Sequence, residues 1–320
     1  MNSVVDCYSK IASLLCLNST TKLIISLNRR LDSEDRFDLL SESICNSPYS
    51  FRRLSMYNQM NQKIVLSMVS KWGFYLNIVP PHFKTYRHIV LAAVKSDGYS
   101  LEYAHPIFLG DYNIVESAIT QRPEALVHAS PELQDNETIV TTAVAIKGSA
   151  LSHASRRLQK LKHMVMIAVK QDGEYLEFVS TEFHQDYDIV LAAVNSNGEA
   201  LRYASPDLQN NFKIVHTALC NSNARSDMTI LQWASPRLRN DKELVLIAVQ
   251  ECGLAFEFAS ENLRDDPDVF LAAMRNASSM EFTLYRKVLN FASKRLIMDY
   301  NARRWHAVDM IMALATPDRY

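Results

Sequence analysis

The hexapeptide Ile89-Val-Leu-Ala-Ala-Val94 returns unchanged as Ile189-Val-Leu-Ala-Ala-Val194, and this repetition decides the fold. Looser copies start at positions 64, 114, 139, 164 and 214, so seven successive starts are spaced by 25 residues. One step of 30 residues then leads to Leu244, and another 25 residues lead to Val269. Such equal spacing is very improbable by chance, and it indicates a tandem repeat protein.

Each copy lies within a segment that predicts one helix of about 11 residues. Three residues before the Ile stands an Asn or Asp, whose side chain can accept a hydrogen bond from the first helical turn. These residues are Asn61, Asp111, Asn136, Asp186, Asn211, Asp241 and Asp266. Pro267 follows the last of them at the first helical position, where its missing N–H does no harm.

A glycine stands nine residues after the Ile in six of the copies. Glycine after a helix is typical of a left-handed residue that closes it. The sequence therefore predicts a positive φ at Gly98, Gly148, Gly173 and Gly198.

An alanine stands four residues after the Ile in eight successive copies. These are Ala93, Ala118, Ala143, Ala168, Ala193, Ala218, Ala248 and Ala273. A small residue held in register lets neighbouring helices approach closely. The hexapeptide is apolar nearly all round, which indicates a helix buried on more than one side.

The second half of the unit predicts a short helical turn and a second cap. It reads Leu201-Arg-Tyr-Ala-Ser-Pro-Asp-Leu208 and Leu231-Gln-Trp-Ala-Ser-Pro-Arg-Leu238, with Ser as N-cap and Pro as first helical residue. An aromatic residue usually stands two positions after the Leu, at Tyr103, Phe178, Tyr203, Trp233 and Phe258. We expect these rings to fill the core, and the alternative is a partly exposed binding stripe.

A unit of one long helix and one or two short turns cannot bury its own apolar face, so the units must stack. The predicted fold is an all-α solenoid of about ten 25-residue units. Residues 1–35 are predicted as N-terminal capping helices, 36–296 as repeats and 297–320 as a C-terminal capping helix. Extra residues within about 221–228 and 276–287 are expected to form surface loops.

The pattern Asp/Asn-x-x-Ile-Val-x-x-Ala-Val, then Gly, then Leu-x-Tyr-Ala-Ser-x-x-Leu resembles a tandem repeat classed as a domain of unknown function. Such repeats occur in Legionella-type intracellular bacteria and in some protists. The resemblance covers residues 61–296 and brings no catalytic residues with it. It implies an interaction scaffold or an effector that is injected into a host and acts on host proteins in the host cytoplasm. Leu161 at a cap position and Pro123 at a glycine position depart from the pattern.

Composition narrows the class of protein. The chain has 320 residues and a net charge of −1, which argues against a dedicated DNA-binding protein. Its five cysteines are widely spaced without a CxxC motif, which favours a reducing compartment such as the cytoplasm. We expect no secretory signal in the first 17 residues and no transmembrane segment, because no apolar run approaches about 18 residues.

Motifs for catalysis, a cofactor or a metal are missing from the sequence. It contains no GxxxxGK[ST], GxGxxG or HExxH, so we predict no catalytic residue, cofactor or metal. His128 and His153 occupy the same position in adjacent units, about 8–10 Å apart, which is too far for two ligands of one zinc. Cys220 follows His216 by four residues on a predicted helix, and we interpret this cysteine as a buried apolar residue.

One segment breaks the charge balance. Arg156, Arg157, Lys160 and Lys162 fall within seven residues, and no acid occurs between 149 and 171. These four cations are the predicted partner-binding residues, for an acidic protein surface. The alternatives are an ordinary solvated edge and a site for anionic lipid or RNA.

The function predicted from these features is a non-catalytic scaffold for protein interactions, because stacked repeats make extended surfaces. One alternative is an enzyme with a site between the N-terminal helices and the first repeats. The other is an adaptor that binds anionic lipid or RNA through residues 156–162.

Overall fold

The computed structural model describes residues 41, 51–52, 54–221, 230–278 and 282–301. Within these ranges the regular elements are all helices, which confirms the predicted all-α class. The chain divides into two compact units, which are residues 1–164 and residues 165–320. Neighbouring repeats stack side by side within each unit, as in an α-solenoid.

Each repeat begins with one long α-helix. The long helices are Gln62–Lys71, Arg87–Ser96, Tyr112–Gln121, Glu137–Ile146, Lys162–Gln171, Tyr187–Ser196, Phe212–Cys220, Lys242–Glu251 and Pro267–Ser278. A 3₁₀-helix follows each of the first eight: Gly73–Asn77, Gly98–Tyr103, Pro123–His128, Gly148–His153, Gly173–Phe178, Gly198–Tyr203, Ile230–Trp233 and Gly253–Phe258. A third, short helix completes these repeats: Pro81–Thr85, Pro106–Phe108, Pro131–Gln134, Arg156–Gln159, Phe183–Gln185, Pro206–Gln209, Leu238–Asn240 and Glu261–Arg264.

The helices begin where the sequence predicts. Asp111 Oδ1 accepts a hydrogen bond from the Ile114 amide at 3.1 Å, and Asn136 Oδ1 does the same for Ile139. Asn61, Asp186, Asn211, Asp241 and Asp266 cap their helices in the same way. These bonds satisfy amides that have no partner within the helix.

Within each unit the core is formed by the Ile, Val and Ala positions of the long helices. In the fourth of these helices Ile139, Val140, Ala143 and Val144 have no exposed surface. All eight alanines from Ala93 to Ala273 are at most 3% exposed, which confirms the close packing predicted for this position.

The glycine prediction is wrong in its backbone conformation. No glycine in the described part of the chain has a positive φ. The long helix ends instead on an extended residue, such as Asp97 with φ −149° and ψ 115°, and the glycine is the first residue of the 3₁₀-helix. A Cβ at Gly98 would lie 2.3 Å from the carbonyl oxygen of Ala118 in the next repeat. Glycine is therefore needed for close backbone approach between repeats.

The predicted ends and insertions are only partly described. The proposed capping helices of residues 1–35 and nearly all of the insertion at 221–228 lie outside the described residues, as does the C-terminal helix beyond 301. Residues 294–301 are helical. The loop predicted within 276–287 is wrong in part, because Pro267–Ser278 is extended to 12 residues and a further helix follows at Phe282–Phe291.

Candidate functional site

The aromatic residues at the ends of the 3₁₀-helices lie at the surface, so the prediction that they fill the core is wrong. Phe178 is 70% exposed and Trp233 is 37% exposed, while Tyr203 and Phe258 are half-buried. Leu176 explains the difference, because it is fully buried and fills the core two residues before Phe178. The ring at the last residue of the 3₁₀-helix then points away from the core.

In residues 165–320 these rings come from consecutive repeats. The 3₁₀-helices Gly173–Phe178, Gly198–Tyr203, Ile230–Trp233 and Gly253–Phe258 each pack against the next one along the chain. We call their last residues the aromatic row: Phe178, Tyr203, Trp233 and Phe258. The row presents one ring per repeat on four successive repeats.

Tyr203 shows what the row can bind. The Arg202 guanidinium carbon lies 4.5 Å from the centroid of the Tyr203 ring, a cation–π contact. The Tyr203 hydroxyl donates a hydrogen bond to Glu177 Oε2 at 2.6 Å. Burial, and then this bond to Glu177, raise the pKa of the Tyr203 hydroxyl. The Tyr203 ring therefore has a cation on its face and a carboxylate at its hydroxyl.

The same position in residues 54–164 is occupied differently. It holds Ile78, Tyr103, His128 and His153. Tyr103 is engaged by the chain itself, with the Phe74 ring at 5.5 Å and Lys84 Nζ at 5.9 Å from its centroid. Burial lowers the pKa of His153, and His128 adds to this effect. Among the described residues no group of three or more His, Cys, Asp or Glu is placed to hold a metal.

The four cations of the predicted basic site, Arg156, Arg157, Lys160 and Lys162, all lie exposed at the surface. Arg157 is engaged with the preceding repeat. Its Nε donates to Asp135 Oδ1 at 3.0 Å, and its Nη2 donates to the Asp135 carbonyl at 3.0 Å. In the part of the chain that the structure describes, Arg156 and Lys160 have no carboxylate within 4 Å.

The contact made by Arg157 is a recurring clamp between repeats. Arg237 donates to Asn210 in the same way, at 2.9 Å from Nε to Oδ1 and 2.8 Å from Nη2 to the carbonyl. Arg295 clamps Asp265. The same three acceptor side chains, Asp135, Asn210 and Asp265, also accept hydrogen bonds from serine hydroxyls. The donors are Ser155, Ser235 and Ser293, respectively. Sequence reasoning missed this clamp, although Ser-x-Arg at 155–157, 235–237 and 293–295 is a visible signal.

Several other ion pairs also join neighbouring repeats. Arg87 Nε lies 3.0 Å from Asp111 Oδ2, and Arg122 Nε lies 3.1 Å from Asp97 Oδ1. Lys147 pairs with Glu124, and Lys242 pairs with Asp266 and Asp268 at 2.8 Å. His163 Nε2 lies 2.9 Å from Glu137 Oε1. Charged groups here serve to connect repeats.

The Cys220–His216 pair shares one helix face as predicted, with Sγ 3.8 Å from His216 Nδ1. Cys220 is exposed, so its interpretation as a buried apolar residue is wrong. It stands six residues after the Ile, where the long helices face solvent, as Lys95 and Thr120 also do. The Phe212 ring stacks on His216 at 5.9 Å.

Fold and surface together define a protein built from stacked α-helical repeats. The family described as "Domain of unknown function (DUF4116)" matches residues 61–109, 111–159, 162–209, 214–264 and 241–297, and the chain belongs to this family. Each match covers about two of the 25-residue repeats. Comparisons with curated proteins and with solved structures gave no match. Among the described residues, no helix is both long enough and apolar enough to cross a bilayer.

Proposed function

We propose that the protein is a non-catalytic interaction scaffold that binds a protein partner through the aromatic row. The observation that carries this proposal is the exposure of Phe178 and Trp233 on the first and third repeats of the row, in a position that could have been buried. Aromatic side chains are enriched at protein interfaces and supply most of their binding energy.

Two carboxylates with a lowered pKa lie at contacts between repeats, which fits a scaffold. Strongly perturbed pKa values usually cluster in active sites. Here the hydrogen bond from Lys147 lowers the pKa of Glu124, and the bonds from Ser155 and Arg157 lower the pKa of Asp135. These contacts join one repeat to the next, so the perturbation serves the stacking of repeats.

The proposal is tested by comparing the proteins that are captured by two variants. The double variant Phe178→Ala/Trp233→Ala removes two rings of the aromatic row. The control Val127→Ala/Ile146→Ala removes two other exposed apolar side chains, which are 46% and 49% exposed. We expect the control to retain the captured partner and the double variant to lose it. Equal recovery by both folded variants would contradict the proposal.

The basic segment supports a second candidate site on the same scaffold. Arg156 and Lys160 are exposed, and in the described residues no carboxylate neutralises them. These two cations would attract an acidic protein surface, or an anionic lipid or RNA. Action on host proteins in a host cytoplasm, as an injected effector, remains part of this proposal and rests on the family resemblance.

A further inference from the structure

Carboxylates accompany the rings of the aromatic row. Four of them lie in the same 3₁₀-helices: Glu174, Glu177, Glu199 and Glu257. Glu177 and Glu257 are exposed and directly precede Phe178 and Phe258. Within the described ranges, none of the four has a Lys, Arg or His nitrogen within 4 Å. The row therefore carries negative charge that the described chain leaves unpaired.

Glu174 differs in its counter-ion from the carboxylate at the equivalent position of an earlier repeat. Glu124 is neutralised by Lys147 of the next repeat. Glu174 stands at the position equivalent to Glu124, but its neighbour is Asn197, whose neutral Nδ2 donates to Glu174 Oε1 at 3.4 Å. Asn197 therefore contacts Glu174 from the same position as Lys147 contacts Glu124, but it brings no positive charge.

We propose that the aromatic row binds an extended segment of a partner protein that carries arginine or lysine side chains. The inference deepens the proposed function and rests on it. The rings bind the cations on their faces, and the neighbouring carboxylates pair with them. Arg202 on Tyr203 is an example of this contact within the chain itself. In the described residues no Lys or Arg of the chain covers the rings of Phe178, Trp233 or Phe258 in this way.

Arginine suits this surface better than lysine. A guanidinium stacks on an aromatic face and can still donate hydrogen bonds to a carboxylate at the edge of the ring. Around Tyr203 the Arg202 guanidinium lies over the ring, and Glu177 accepts a hydrogen bond from the ring hydroxyl, so a cation and a carboxylate meet at one ring.

The repeat spacing sets the expected register of the segment. Neighbouring helical repeats lie about 8–10 Å apart. A chain in the polyproline II conformation rises about 3.1 Å per residue and places every third side chain on one side. Arginines at every third residue would therefore be in register with the repeats and would meet the rings of Phe178, Trp233 and Phe258, while Arg202 of the chain occupies Tyr203.

The test uses the full chain and a fluorescent synthetic peptide in which Arg-Pro-Ser is repeated four times. We expect saturable binding in an anisotropy titration, weakened by added salt because the carboxylates contribute. Phe178→Ala and Trp233→Ala should each weaken binding by about two- to fivefold, as expected for the loss of one exposed cation–π contact. Glu257→Gln should weaken it mainly at low salt.

Two controls isolate the chemistry. Tyr103→Ala removes a ring at the equivalent position outside the row and should leave binding unchanged. A peptide with citrulline in place of arginine keeps the shape and loses the charge, so it should not bind. Equal binding of the citrulline peptide, or affinity unaffected by Phe178→Ala and Trp233→Ala in folded variants, would overturn the inference.

The outcome is separable from that of the proposed function. If the arginine peptide fails to bind while the double variant still loses its captured protein, the inference of a cationic partner is wrong. The proposal of an interaction scaffold is then still supported. If capture is unaffected by the double variant, the proposed function fails, and the inference that rests on it fails too.

Discussion

The carbonyl oxygen of Ala193 lies 2.3 Å from the point that a Cβ atom on Gly173 would occupy. The two residues belong to neighbouring repeats, and the same relationship joins Gly73 to Ala93, Gly98 to Ala118 and Gly198 to Ala218. The alanine carbonyl also accepts the helix-closing hydrogen bond, from the Asn197 amide at 2.9 Å in the case of Ala193. In these four pairs of repeats one glycine and one alanine thus bring two backbones close together.

Gly173→Ala should destabilise the fold. The added methyl group would meet backbone atoms that cannot move as a side chain can, so a cost of about 1–3 kcal/mol is expected. The measurement is the urea midpoint of unfolding. Gly110→Ala is the matched control, because its nearest neighbour would be Ser130 Oγ at 3.6 Å, an ordinary contact. The control should be neutral or stabilising by about 0.4–1 kcal/mol. Equal midpoints for the two variants would contradict the close-approach argument.

Ala193→Leu should overpack the contact between adjacent long helices. Ala193 has no exposed surface, so the larger side chain must displace its neighbours at a cost of about 1–3 kcal/mol. Ala193→Gly should cost up to about 1 kcal/mol, through lower helix propensity. Thermal unfolding of the two variants beside the parent tests this. A Leu variant that melts together with the parent would show that the position has spare room.

Asp111→Asn should make the free energy of unfolding depend less on pH in the acid range. Burial alone would raise the pKa of Asp111, but the hydrogen bonds from Arg87 and the Ile114 amide outweigh it and hold this pKa below its usual value. A carboxyl group whose pKa is lower in the folded chain stabilises the fold above its unfolded pKa of about 3.9. That contribution is lost as the pH falls through the folded-state pKa.

Asparagine can still cap the helix, as Asn136 does in the next repeat. At neutral pH the variant should therefore lose only the half-exposed ion pair with Arg87, about 0.2–1 kcal/mol. Urea midpoints measured between about pH 6 and pH 3 should converge for variant and parent at the acid end. A constant difference across that range would show that Asp111 does not titrate with folding.

Arg157→Glu should destabilise the stack, while Arg156→Glu and Lys160→Glu should not. The first change places a carboxylate against Asp135, whose side chain and carbonyl the guanidinium now binds. The other two side chains are exposed, and such changes usually stay within about 0.5 kcal/mol. Unfolding midpoints of the three single variants measure the difference. Equal midpoints would show that Arg157 is not a structural clamp.

The basic segment should therefore be tested with Arg156→Glu/Lys160→Glu alone. We expect this folded variant to bind less poly-glutamate, RNA homopolymer or phosphoinositide vesicles than the parent, most clearly at low salt. The probe that responds identifies the class of acidic partner. Unchanged binding of all three probes would indicate that the segment is an ordinary solvated surface.

Sequence reasoning succeeded where one local interaction decides the structure. Asp111 and Asn136 cap helices because a short side-chain acceptor needs only the amide three residues ahead. It failed at Phe178, because nothing local states whether the Leu or the aromatic residue of the same turn fills the core. The exposure of the four cations in residues 156–162 was predicted from the sequence. The contact of Arg157 with Asp135 of the preceding repeat was not predicted.

The sequence by itself determined the repeat, its helices, their caps and the stacking, because these follow from periodicity and from contacts within one unit. Tertiary structure alone decided what the glycines are for, since their role depends on a carbonyl some 20 residues away, as with Gly173 and Ala193. It also decided which rings and charges remain at the surface. A charged side chain keeps no counter-ion when the neighbouring repeat supplies none. Glu174 is an example, because Asn197 stands beside it where Lys147 stands beside Glu124.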